Sequence, residues 1–179
     1  MDRKELLERY ATGQRDFRGV DLSLANLEGT RLWEVDLTAA NLSRANLVKA
    51  NLSGVNLSQA NLSGANLNLA KLGGTILASA NLQGASLRHA DLVWACLTAA
   101  DLRDTDLRKT NLDLANLSSA NLSRASLIAA SLRGVLLNQA NLTAADCSGA
   151  NLTRADLTGA NLANTSLQHA TLTATLLPE

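Results

Sequence analysis

Side chains able to do acid–base, metal or nucleophilic chemistry are few in this chain, and they stand apart. There are two histidines, His89 and His169, eighty residues from one another, and two cysteines, Cys96 and Cys147. Neither cysteine belongs to a CxxC pair or stands beside a histidine, so no zinc-ligand spacing is present. Aspartate and asparagine are abundant, and most stand directly before a leucine. Converging carboxylates would be general acids or metal ligands, and evenly spread ones would be scaffold. The glycines fall mainly at multiples of five residues, which leaves no GxGxxG or Walker-type phosphate loop. Whether any of these groups meet depends on the elements that carry them.

Composition narrows the choice of elements. Of 179 residues 46% are apolar, yet only five are Trp, Tyr, Phe or Met. The core must therefore be built from leucine and alanine. Sixteen basic and 16 acidic residues cancel, so no net field draws the chain to nucleic acid or an anionic membrane. No apolar run approaches the ~18 residues of a membrane span. The charged first twenty residues do not resemble a signal peptide. A cytoplasmic protein is expected, and two cysteines are too few for a disulfide framework.

The organising feature is a repeat. Stepping by five from Phe17 to Leu177 gives 33 positions, of which 31 are Leu; Phe17 and Cys147 are the exceptions. Two residues before each, from Val20 to Thr175, all 32 positions are Ala, Val or Thr. A five-residue step turns ~500° on an α-helix, which would scatter the leucines around the cylinder. On a straight strand an odd step flips faces. The chain must therefore bend once in every unit. Nine of the 11 glycines lie two residues after the Leu position, where a type II corner requires positive φ.

Units such as Ala40-Asn41-Leu42-Ser43-Arg44, Ala60-Asn61-Leu62-Ser63-Gly64 and Ala155-Asp156-Leu157-Thr158-Gly159 resemble the A(D/N)LXX pentapeptide repeat, a family common in cyanobacteria. The resemblance covers about nine-tenths of the chain. It implies an all-β fold, a right-handed quadrilateral β-helix in which four units close one coil, with Leu and the small residue inside. On that plan 33 units make about eight coils, and a rod roughly 40 Å long at the usual strand spacing. Residues twenty apart then stack, giving four walls named here after their first central leucine: Leu22, Leu27, Leu32 and Leu37. The Asp and Asn column from Asp21 and Asn41 to Asn161 is expected to form a ladder of stacked amides.

Three regions are expected: a helical cap over residues 1–16, the β-helix over 17–177, and a tail at 178–179. Asp2 and Glu5 suit a capping box, and Leu6, Leu7 and Tyr10 share one helical face. At the other end Leu172, Leu176 and Leu177 are apolar with no cap in view. They are the candidate surface for an end-to-end homodimer.

On this plan no catalytic, cofactor or metal site is expected. His89 and His169 fall four coils apart, roughly 19 Å. Cys96 points outward and Cys147 inward, from opposite walls. The Leu27 wall is mildly basic through Lys49, Arg88, Arg108 and Lys109, with Asp104 and Asp106 near enough to offset part of that charge. The outer positions of the Leu37 wall from Thr38 to Gly159 carry no charge. Along its edge with the Leu32 wall, Ile76, Trp94, Cys96, Leu114 and Leu136 should cluster as an apolar contact site for an unidentified protein. The expected function is thus a non-catalytic scaffold or regulator. The alternative is a DNA-mimicking, topoisomerase-binding protein, as the resemblance to quinolone-resistance members implies. That mechanism needs a strongly acidic rod, and this chain is neutral.

Overall fold

The computed structural model describes residues 1–178. It begins with helix α1, Arg3–Ala11, capped by Asp2, whose side chain accepts the Glu5 N–H at 2.8 Å. Gly13, at φ +96°, ends it. Leu6 is wholly buried against the first coil, and Met1, Leu7 and Tyr10 pack beside it. The helix thus covers the edge of a solenoid that would otherwise offer unpaired strand. It is not long or apolar enough to cross a membrane.

From Asp16 onward the chain winds in coils of twenty residues. Parallel bridges join each residue before a leucine to its equivalent twenty residues on, from Asp16↔Asp36 to Asp156↔Leu176. Each unit but Arg31–Val35 ends in a β-turn closed by an N–H to the leucine carbonyl, and φ is positive at every corner from Gly19 to Ala174, between +55° and +70°. Glycine is therefore suited to the corner but not required. Twenty-three corners carry another residue, at a cost of roughly 1 kcal/mol each.

Backbone hydrogen bonds within and between coils hold the unit. Taking the second repeat, Leu22 N–H donates to Asn41 O in the next coil at 2.7 Å, and Leu24 N–H to Ser43 O at 2.9 Å. Asn41 N–H donates back to Val20 O, and Ala25 N–H closes the turn on Leu22 O. The remaining donor, Ser23 N–H, goes to the Asp21 side chain at 2.9 Å. In an inner unit with Asn or Asp before the leucine, every backbone N–H thus has an acceptor, as a thin-walled rod favours.

That last bond corrects the expected amide ladder. In the column from Asp21 to Asn161, all eight side chains accept the N–H two residues on. Only Asn41, Asn61 and Asn141 also donate to the coil before. The Asx turn is the shared role, because it serves a donor inside the same unit.

At two of the four serines that replace Asn or Asp, Ser86 and Ser131, the preceding coil supplies the acceptor. Asn68 Oδ1 takes both Ser86 Oγ and Arg88 N–H, and Asp113 Oδ1 takes Ser131 Oγ and Arg133 N–H. Ser126 has Arg108 at that place, and its buried Oγ has no partner. Ser126→Asn should supply the missing acceptor to Ile128 N–H and stabilise the protein by about 1 kcal/mol in urea denaturation. Destabilisation would contradict the Asx assignment.

The inward leucines from Leu22 to Leu157 are at most 2% exposed, and Cys147 fills a leucine place at 0%. Thr75, Thr105 and Thr110, at the small inward position, each donate a hydroxyl to a leucine carbonyl of the coil before. Burial falls off at the far end, where Leu172, Leu176 and Leu177 are 36%, 59% and 53% exposed.

Candidate functional site

The solenoid keeps the chemistry-bearing residues apart. His89 and His169 are both exposed corner residues of the Leu27 wall. Cys96 is half-buried with its Sγ 3.4 Å from Thr98 Oγ1, whereas Cys147 is in the core. Burial, with a smaller push from Asp146, raises the Cys147 thiol to about 12. A disulfide reagent at pH 8 should therefore titrate one thiol per folded chain, and two in denaturant. Two fast thiols in the folded protein would contradict the inward placement.

Among the described residues no three His, Cys, Asp or Glu side chains gather as a metal site. Six aspartates, Asp16, Asp36, Asp101, Asp104, Asp106 and Asp113, are instead tied to arginines. Arg18 beside Asp16 holds that carboxyl down to about 2. Asp101 and Asp106 are lowered in the same way by Arg103 and Arg108. On the basic wall Asp106 lies 2.6 Å from Arg108 and 3.9 Å from Arg88. Asp104 turns to Arg124, at 2.7 Å. Asp106 alone thus offsets part of the positive character expected of this wall, and Lys49 and Lys109 are in no ion pair among the described residues.

The edge between the Leu32 and Leu37 walls is different. Trp94 is 65% exposed, and Ile76, Leu114 and Leu136 are each more than 40% exposed. Ile76 pairs directly with Cys96, and Trp94 and Leu114 occupy successive corners beside them. Leu136 does not join them directly, because Asn116 stands between Cys96 and Leu136 in the column. The corner beyond Leu114 is Gly134, and a Cβ there would come within 2.8 Å of Leu114 Cδ2. The leucine thus lies over a side-chain-free corner. Beyond it opens a groove of about 490 Å³, lined by Leu114, Gly134, Thr153, Arg154 and Ala174, with the Asp113–Arg133 pair on its flank. The sequence shows Gly134 in this column, but not the direction in which Leu114 leans.

The Pentapeptide repeats family matches in eight copies, over residues 16–54, 56–92, 65–104, 95–134 and 140–177. The chain belongs to the pentapeptide-repeat family. Pentapeptide-repeat proteins with solved structures are similar along most of its length. HetL, from the cyanobacterium Nostoc sp. strain PCC 7120 and involved in heterocyst differentiation regulation, is 32% identical, with TM-score 0.59 over 100% of this chain and 98% of its own. A pentapeptide repeat protein from the thylakoid lumen of Arabidopsis thaliana is 37% identical over 54% of this chain and 68% of its own, with TM-score 0.53. QnrB1, a plasmid-mediated fluoroquinolone resistance protein, shares the fold at 21% identity, with TM-score 0.76 over 90% of this chain and 89% of its own. No curated protein matches the chain.

Proposed function

We propose that this pentapeptide-repeat protein is a non-catalytic scaffold or regulator that binds a protein partner along the edge between its Leu32 and Leu37 walls. The observation that carries the reading is the exposed row Ile76, Trp94, Leu114 at that edge, beside a wall whose outer positions are uncharged. A tryptophan set among aliphatic side chains is the usual anchor of a protein interface. About eight coils of flat wall give such a partner room to bind without a cleft. The similarity to HetL, a protein of developmental regulation, supports the same class of role. The test is affinity capture from the host lysate with the wild type and with Trp94→Lys/Leu114→Lys. A protein retained equally by both would rule the edge out.

The topoisomerase-binding alternative draws on the fold shared with QnrB1. Zero net charge and the pairing of aspartates to arginines speak against a phosphate-like surface. A gyrase supercoiling assay with a quinolone decides it; protection by this protein would favour the alternative.

A second copy is the proposed partner of the far end. Leu162, Leu167 and Leu172 N–H have no acceptor among the described residues, and Leu172 and Leu176 are exposed. The inner coils use the small-residue carbonyl and the Leu N–H toward the following coil. One end thus presents donors and acceptors together, which pair with themselves across a two-fold axis. Light scattering at tens of micromolar should give a dimer that Leu172→Arg/Leu176→Arg splits. A wild-type monomer would refute this pairing.

A further inference from the structure

A second concavity of about 490 Å³ lies at the opposite edge of the Leu32 wall, lined by Gly29, Arg31, Trp33, Lys49, Asn51 and Lys71. Arg31 and Lys71 occupy the place before the leucine, and they are the only cations at that place anywhere in the repeat. Each therefore gives up the Asx turn that its unit would otherwise make. Trp33 N–H turns instead to the Tyr10 hydroxyl at 3.2 Å, and Gly73 N–H has no acceptor among the described residues. Two departures from the scaffold rule thus converge on one groove. They flank Asn51 in a single column, Arg31↔Asn51↔Lys71, about 10 Å apart along the rod. Lys49, two residues before Asn51, adds a third cation from the adjoining corner.

None of the three is in an ion pair among the described residues, whereas Arg18, Arg103, Arg108, Arg124 and Arg133 each hold an aspartate. The acids nearest in the fold do not line the groove. Glu28 reaches toward Asn46 at 3.4 Å, and Asp91 accepts Val93 N–H. Asn51 Oδ1 takes Ser53 N–H at 3.1 Å, which leaves its amide nitrogen as a donor facing the cations. Trp33, 55% exposed, supplies a flat apolar face beside them.

We propose that this groove binds a compact polyanion: an oligophosphate of two or three phosphoryl groups, free or carried by a nucleoside whose base lies on Trp33. Three cations around one amide match a ligand that concentrates several negative charges within a few ångströms. An arginine fork and two lysine point charges are the usual phosphate partners. An acidic peptide in extended form places successive side chains on opposite faces, ~3.4 Å apart along its axis, and cannot bring three carboxylates to one point. A base stacked on an exposed tryptophan is recognised through its ring face.

The test uses the Trp94→Phe protein, in which Trp33 is the single tryptophan, in metal-free buffer of low ionic strength. Inorganic triphosphate is titrated by calorimetry, and ADP and ATP by Trp33 fluorescence. Saturable binding that weakens with salt is expected. Arg31→Asn/Lys71→Asn should lower the affinity at least tenfold while raising Tm, because an asparagine at position 71 gives Gly73 N–H the acceptor it lacks. That rise shows the variant is folded, so the loss of binding reads the site. A nucleotide that binds tighter than triphosphate and quenches Trp33 assigns the base to the ring. Equal affinity without quenching assigns the groove to the phosphate chain alone. The proposal is overturned by no saturable binding of any of these at millimolar concentration, by unchanged binding in the double variant, or by hexaglutamate binding as tightly as triphosphate.

Discussion

Leu97→Asp is expected to abolish cooperative folding of the coils around it. Leu97 is 0% exposed and stands in one column with Leu77 and Leu117, both buried. Truncating such a leucine costs about 2–5 kcal/mol by itself. A carboxylate there would in addition lose its water with no cation in reach, a penalty of several kcal/mol. The sum is comparable to the whole stability of an ordinary domain, about 5–15 kcal/mol. In a solenoid the damage passes to both neighbours, because each coil is stabilised chiefly by the coils beside it. Hydrogen exchange should show amides on either side of residue 97 unprotected, and circular dichroism a broadened melt. Thr98→Asp, one residue along and facing out, should change stability by no more than about 0.5 kcal/mol. A Leu97→Asp protein that melts with the wild type would refute the inward placement of the repeat leucines.

Asp113→Ala is expected to cost about 2–3 kcal/mol, an unusual loss for a residue on the outside of a wall. Asp113 is only 7% exposed. It accepts from Ser131 Oγ, from Arg133 N–H at 3.0 Å and from Arg133 Nε at 2.7 Å, and it forms an ion pair with Arg133 Nη2. Alanine strands the hydroxyl and the backbone donor together. The pH dependence carries a sign. Burial pushes the carboxyl up, but the Arg133 guanidinium, the Ser131 hydroxyl and the Arg133 N–H outweigh it, so the net shift is downward. The folded state therefore favours the ionised form. Its contribution is complete above the unfolded value near 4 and is lost as pH falls through the lower folded value. Urea melts at pH 7 and pH 2.5 should show the wild type losing more stability than Asp113→Ala. Equal losses would remove the electrostatic part of this account.

The sequence showed the coil more readily than the surface. Leucine every fifth residue with a small residue two before it fixes which side chains face inward, since only a chain bent once per unit satisfies both spacings. Glycine two residues later marks the corners, and positive φ follows there whatever residue is present. The Asn and Asp column was harder to read. A carboxamide can serve a neighbouring coil or its own unit, and composition does not say which; the backbone donors left over in each unit do. At the apolar edge, the exposure of Trp94, Leu114 and Ile76 follows from their register. The separation of Leu136 by Asn116 follows from the same register. The groove beyond Leu114 depends on a side-chain direction, which no spacing encodes. Arg31 and Lys71 stand out in the sequence as breaks in the Asn/Asp column. Their meaning appears only when Lys49 and Trp33 are seen beside them.

Because backbone bonds within and between coils serve most of the donors, the two outward residues that follow a leucine are largely released from structural duty, with Asn68 and Asp113 as exceptions. The rod is therefore a regular pegboard, with sites about 4.8 Å apart along its axis and four faces around it. Changes at one peg leave its neighbours in register. Such a lattice can acquire a new epitope by single substitutions, without refolding, and can keep several unrelated ones on different faces at once.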